Sequence, residues 1–491
     1  MRTRSRKQNV TSLTFEQIES RRLLTTNAVL VADIAPGTES SFPGNLFVAN
    51  DTLFFRAFDG VHGDELWKTD GTREGTQLVK DIDPGIDGSF PIGFQQLGES
   101  VYFSAFDPVH GAELWKSDGT PEGTVLVQDI AEGQTSSVPG WLTKVGDELY
   151  FTAFDEVHGT EIRITDGTDT RLIGDIIPGA DRGGLGQLTA LNDELVFFDA
   201  TTDEVGNEPW VTDGTESGTF LLQDIFEGPS WSLPQQFVVR DSTFYFGTGF
   251  GDFWRSDGTV EGTERVLDAN GEEVSTRRIT AIGQTIYLVD SLRGRGELWR
   301  FDASEELTLL RRFDGFVTNI VGREGLIYFC VQTEDGGHEL WKSDGSSEGT
   351  TQITTFDNDI DEFMVIDDTL FFTTNDRLGN IELWQSDGTD IGTSAVTGSL
   401  VASMTSIQQL TDFGGRLFFT AFTEATGLEI FSLVEENSAD IDADGVVGFS
   451  DFLVLSADFG ITGSSKADLD SDGSVTFADF LILSSQFGTS P

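Results

Sequence analysis

Two stretches near the carboxy terminus carry the densest chemistry in this 491-residue chain: DIDADGVVGFSD at 440–451 and DLDSDGSVTFAD at 468–479. Each sets Asp at positions 1, 3 and 5, Gly at 6 and Asp again at 12. A hard divalent cation takes about six to eight oxygens, and this spacing wraps one short loop around one ion. The expected side-chain ligands are Asp440, Asp442, Asp444 and Asp451, then Asp468, Asp470, Asp472 and Asp479. The carbonyls of Val446 and Ser474 supply position 7, and Gly445 and Gly473 permit the sharp bend. Thr476 can orient a water at position 9, which Gly448 cannot do with a side chain. The expected cofactor is Ca2+.

An apolar helix is predicted after each loop, DFLVLSADFG at 451–460 and DFLILSSQFG at 479–488. Loop, helix and terminal Phe-Gly therefore recur at one constant offset, as chance acidic turns would not. Asp rather than Glu at position 12, with one helix per EF-hand-type loop, resembles the type I dockerin repeat. That resemblance implies a cohesin-like protein partner and a role in tethering secreted proteins, often polysaccharide-degrading ones. Where cellulosomal dockerins carry a Ser-Thr pair after position 9, this chain has Phe449-Ser450 and Phe477-Ala478.

A second set of chemically loaded residues lies in HGDELWKTDGTREGT, 62–76. The word returns as HGAELWKSDGTPEGT at 110–124, GNEPWVTDGTESGT at 206–219, HELWKSDGSSEGT at 338–350 and, in weaker forms, elsewhere. A word used this often is first of all architecture. Within one unit four β-rich runs alternate with turn signals: NLFVAN (45–50), TLFFRAF (52–58), ELWKTD (65–70) and TQLVKDI (76–82). Apolar residues on both sides of each run, such as Phe54-Phe55 and Leu66-Trp67, predict sheets packed on both faces. The Trp position recurs at 67, 115, 210, 254, 299, 341 and 384, with Arg163 and Phe431 in its place twice. Repeats of ~40–50 residues with four strands each predict an all-β chain, a large β-propeller. AVLVADI at 28–34 reads as a lone fourth strand, and LFFTAF (417–422) with LEIFSL (428–433) as early strands lacking one. Joining them closes the ring at nine blades, or at eight with one irregular unit.

DGT-x-x-GT is the turn into the fourth strand: Asp70 caps it, Gly71 allows positive φ and Thr72 starts the return. One carboxylate per turn is too few for calcium. His62, His110 and His158 stand at equivalent points of successive units, in FDGVHG, FDPVHG and FDEVHG. Equivalent points on separate blades are spread around a ring, so these histidines are expected to stabilise loops and not to gather on a metal. The units at 28–433 resemble the ELWxxDGT repeat family of bacterial surface and secreted proteins, which implies an extracellular repeat protein and transfers no catalytic residues.

With 83 acidic against 30 basic residues the formal charge is −53, which disfavours nucleic acid and anionic membranes and attracts divalent cations. Forty Phe and nine Trp set the chain apart from a disordered acidic tail. The one cysteine, Cys330 in LIYFCV, is expected to be a buried inert thiol. No apolar run approaches the ~18 residues of a membrane helix. The basic opening lacks an ordinary signal-peptide core, yet FEQIESRRLL (15–24) resembles the LEPR-XLL motif at the start of many planctomycete surface proteins. Phe15, Glu16, Glu19, Arg21 or Arg22, Leu23 and Leu24 match, with Ile18 for leucine and Ser20 for proline.

The expected organisation is an export or sorting segment at 1–27, a monomeric propeller at 28–434 and a calcium module at 435–491. The expected role is a secreted or cell-surface binding protein, the propeller being its recognition platform for polysaccharide or an extracellular protein. The alternative is an extracellular carbohydrate-active enzyme, a glycoside hydrolase or lyase of polysaccharide breakdown. The recognition face is expected where the second-to-third-strand turns and the inter-blade connections emerge together.

Overall fold

The computed structural model describes residues 26–179, 184–290, 296–376, 378–398 and 400–435, and in the tail 441, 447–461, 465, 467, 469, 474–485 and 487. Residues 1–25 of the export-like segment fall outside the described residues, and Thr26 and Asn27 open a strand. The chain forms two compact units, one spanning Asn27–Val434 and the other containing the tail from Glu435.

The larger unit is a β-propeller of nine four-stranded antiparallel blades. Blade 1 consists of Gly44–Ala49, Thr52–Phe58, Asp64–Thr69 and Gln77–Lys80 in consecutive order. Its central strands alternate so that successive side chains face opposite neighbours. Phe54 and Leu66 pack with Phe103 and Trp115 of blade 2. Phe55 and Trp67 pack on the other side with Phe418 and Ile430 of blade 9. Each blade thus buries both faces, which is why its strands do not show a clean polar–apolar alternation. At ~1.5–3 kcal/mol per buried large apolar side chain, this interleaving is the main source of cohesion.

The ring closes through both ends of the propeller. Blade 9 takes three strands from Thr405–Phe413, Arg416–Thr423 and Gly427–Glu435, and its fourth is Thr26–Ala32. First strands touch their neighbours all the way round, Thr405–Phe413 meeting Gly44–Ala49. Asp33 and Ile34 leave the closing strand that the sequence pattern extends to 34. The reason is local: the N–H groups of Ile34 and Ala35 turn to the Glu429 carboxylate, each at 3.3 Å.

The first strands are bulged, with register shifts at Gly44/Phe47, Thr318/Val321 and Gln408/Thr411 among others. Asn45, Asn319 and Gln409 sit in these bulges at φ 57, 53 and 58°. Their amide side chains stitch one blade to the next: Asn45 donates to Pro91 O (3.4 Å), Asn319 to Ile360 O (3.1 Å) and Gln409 to Pro43 O (3.0 Å). The last of these spans the ring closure. Cys330 is fully buried, and burial pushes its thiol up to about 12, as expected of an inert side chain.

In the tail, α1 (Phe449–Asp458) and α2 (Phe477–Ser485) contact each other. Ile441, Val447, Leu455, Ala467, Val475 and Leu483 form one buried cluster, drawing equivalent residues from both halves of the repeat. Among the described residues no helix is long and apolar enough to cross a membrane.

Candidate binding face and metal centre

The glutamate of ELW has the most specific environment in the propeller. Glu65 is fully buried and accepts from four donors of the connection between blades 1 and 2. Ile82 N (3.1 Å) and the Ser89 hydroxyl (2.5 Å) bind Oε2, while Asp83 N (2.9 Å) and Ser89 N (3.1 Å) bind Oε1. Glu113 repeats this with Ile130, Ala131 and Ser137, and Glu208 with Ile225 and Ser232. Glu161 holds Ile176 and Ile177, and Glu429 holds Ile34, Ala35 and Ser41. Burial pushes Glu65, Glu161 and Glu429 up to about 7, against the pull of their donors.

The serine at the end of each connection is held from both sides. Ser89 bonds back to Glu65, and its carbonyl accepts from Phe106 N of blade 2 at 2.8 Å. Ser41, Ser137 and Ser232 do the same toward Phe58, Phe154 and Gly249. The residue that follows each of them is turned outward. Phe42, Phe90, Val138 and Leu233 have φ of 49, 50, 48 and 52° and are 58, 50, 54 and 43% exposed. Each precedes proline, which disfavours the right-handed helical alternative. A left-handed conformation costs a non-glycine residue ~1–2 kcal/mol, most for β-branched Val138. The twofold anchoring of the serine is what maintains it. Four equivalent apolar side chains are therefore held in solvent on the side where inter-blade connections and second-to-third-strand turns meet.

Trp141, Trp231 and Phe250 share that side, 53, 55 and 65% exposed. Exposed large apolar residues are sparser on the opposite side among the described residues, Val260 and Ile391 in the DGT turns being two. Asp59, Asp107 and Asp155 bind the Nδ1 atoms of His62, His110 and His158 at 2.7, 2.8 and 3.0 Å. The bond to the carboxylate raises His62 and His110 above the ordinary imidazole value. Each pair closes its own turn, in line with the loop-stabilising expectation. His338 differs: it lies in a third strand, 6% exposed.

The DGT turns are self-sufficient. Asp70 Oδ1 accepts from Thr72 N (2.9 Å) and its hydroxyl (2.7 Å), and Thr69 Oγ1 meets Thr76 Oγ1 at 2.8 Å. A Cβ on Gly75 would sit 2.0 Å from Asp70 Oδ1, which explains the second glycine of the word. The same clash occurs at Gly123, Gly218, Gly262, Gly349 and Gly392.

In the tail, Asp451 and Asp479 are fully buried. Asp451 accepts from Ile441 N (2.6 Å) and Gly448 N (2.7 Å), and Asp479 from Leu469 N and Thr476 N (both 2.6 Å). Each position-12 carboxylate thus ties the second loop residue to the start of its helix. Ser474 is among the described residues; Asp440, Asp442, Asp444, Val446, Asp468, Asp470 and Asp472 lie outside them. Among the described residues no group of three or more His, Cys, Asp or Glu is placed to hold a metal ion.

The sequence pattern flagged neither the glutamate anchors nor the outward side chains. A signal was present: SFP, SFP, SVP and SLP, at 41–43, 89–91, 137–139 and 232–234, each end a connection that a buried glutamate holds.

No known protein family matches the chain, and no curated protein is similar to it. Solved structures resemble it at low identity. The computationally designed Ika8 protein is 15% identical over 72% of this chain and 99% of its own, with a TM-score of 0.42. BamB from Moraxella catarrhalis is 11% identical over 84% of this chain and 97% of its own, with a TM-score of 0.39.

Proposed function

We propose that this chain is a secreted or cell-surface binding protein whose loop face docks an extracellular polysaccharide and whose calcium-ordered tail anchors it. The carrying observation is the repeated outward side chain, Phe42, Phe90, Val138 and Leu233, held exposed at a conformational cost by a serine anchored on two blades. Exposed aromatic rings such as Phe90 and Trp141 suit the apolar faces of sugars. Loops on a rigid scaffold are where recognition commonly resides.

In the tail, the ligand pattern supports calcium and the dockerin-like reading. Phe449, Leu453, Phe477 and Leu481 are 66, 52, 61 and 53% exposed at equivalent points of the two helices, an apolar pair of stripes suited to a cohesin-like protein. For a glycosidase, one carboxyl of an accessible pair needs a raised pKa. The carboxyls raised to about 7 are instead fully buried beneath their connections.

A glycan array probed with the full chain, paired with hydrolysis assays on the same polysaccharides, tests the reading. Phe90→Ser with Trp141→Ala should weaken binding at least tenfold while Tm stays within a few degrees. Protection of the DGT turns around Asp70, Asp118 and Asp344 in a ligand footprint would place binding on the other face and overturn it.

A further inference from the structure

The ELW glutamate meets different partners around the ring, and blade 8 leaves one without its usual donors. In blades 1 to 4 and 9 the connection covers it. In blade 6 the connection is a tight turn between Leu307–Phe313 and Gly315–Arg323, and a guanidinium takes its place. Arg312 Nε lies 2.6 Å from Glu297 Oε1, while Trp299 Nε1 donates to Oε2 at 3.0 Å. In blade 7, Glu339 keeps the indole bond, from Trp341 at 2.9 Å. Blade 6 thus shows an uncovered carboxylate of this set accepting an indole N–H on one oxygen and a guanidinium on the other.

In blade 8, among the described residues, the indole contact is present and no cation meets the carboxylate. Trp384 Nε1 is shared between Thr374 Oγ1 at 3.1 Å and Glu382 Oε2 at 3.3 Å. The connection to blade 9 does not fold over Glu382 but forms a short 3-10 turn, Val401–Ser403. Glu382 is exposed and opens on a cavity of 640 Å3. Asn358, Asp376 and Thr397 line its polar side, and Val396, Val401 and Met404 its apolar side. Among the described residues no Lys, Arg or His lines it. The Asp376 carboxylate is already occupied by Leu378 N, Asn380 N and Asn380 Nδ2 at 2.7–2.9 Å. The cavity is of ligand size, acidic, and has an apolar wall for a stem. An anion would be repelled both here and by the field of the whole chain.

We propose that this cavity binds an organic cation, a guanidinium or primary ammonium on an aliphatic stem, with Glu382 as counter-ion and Val401 and Met404 packing against the stem. The ligand completes in blade 8 what Arg312 completes in blade 6. Its source is either a basic side chain of a peptide or a free polyamine. This site is separate from the polysaccharide-docking side chains, and its failure leaves that reading untouched.

The test titrates the full chain, with calcium present and at low salt, with N-acetyl-arginine amide, an arginine-containing tripeptide and spermidine. Tryptophan fluorescence is the readout, because Trp384 shares the carboxylate. Saturable binding is expected from at least one probe, weakened tenfold or more by Glu382→Gln and weakened by added salt. The better of peptide and polyamine identifies the source. Thr397→Arg should fill the cavity with an internal cation and abolish binding while the fold persists; since Glu382 and Thr397 are exposed, neither variant should lower Tm appreciably. Binding unchanged in both variants, no saturable binding by any probe, or equal binding of the uncharged isostere N-acetyl-citrulline amide would overturn the proposal.

Discussion

Glu65 shows how one side chain can decide the course of a whole connection. A carboxylate with four donors and no exposure is strongly held only while those donors remain in place, because a buried acceptor or donor left unpaired costs ~1–3 kcal/mol. Glu65→Gln sets an amide N–H2 against donor groups, so it should destabilise the propeller by about that amount. The pH dependence follows from the shift. With the folded value raised from 4.5 to about 7, the unfolded chain releases its proton first as pH rises. The stability this group contributes is therefore full below 4.5 and lost as pH climbs through about 7. Denaturant midpoints measured across that window should fall for the native chain and fall less steeply for Glu65→Gln. Identical slopes would show that burial does not govern this carboxyl. The acid of ELW looked like a solvated strand residue in the sequence, because its partners begin 17 residues later and end 24 later.

Among elements, the closing strand Thr26–Ala32 has a role out of proportion to its length. Without it, Gly427–Glu435 would present an unpaired edge, and Val31 and Ala32 would leave the cluster they share with Phe55 and Trp67. Deleting 26–34 should lower Tm far more than deleting 1–24, and equal melting temperatures would refute closure through this strand. The split blade was legible in the sequence because a fourth-strand pattern stood alone at one end and early-strand patterns at the other. The stitching amides were not legible. Asn45, Asn319 and Gln409 read as ordinary polar residues of half-exposed strands, and only the bulges aim them at the neighbouring blade.

At the scale of the whole molecule, the two units should respond differently to chelation. Eight aspartates in two short loops repel one another unless a cation neutralises them, so removing calcium should melt α1 and α2 while leaving the propeller folded. The chain offers a built-in separation of signals. All nine tryptophans lie between 67 and 384, so fluorescence reports the propeller, and far-ultraviolet helical signal reports the tail. Loss of both signals together, or of neither, would count against the metal-ordered tail.

What the sequence determined by itself is what neighbours along the chain can settle. The Asp–Thr turn of DGT, the alternation that packs Leu66 and Trp67 on opposite sides, the repeat length and the aspartate spacing of the loops all act within about a dozen residues. Local sterics and hydrogen bonding suffice to read them. Tertiary structure alone decided between nine blades and eight, the fate of each ELW glutamate and which apolar side chains face solvent. Those depend on partners from Glu65–Ser89 to Ile34–Glu429, up to 395 residues apart. Burial and hydrogen bonding at such separations exist only once the ring has closed.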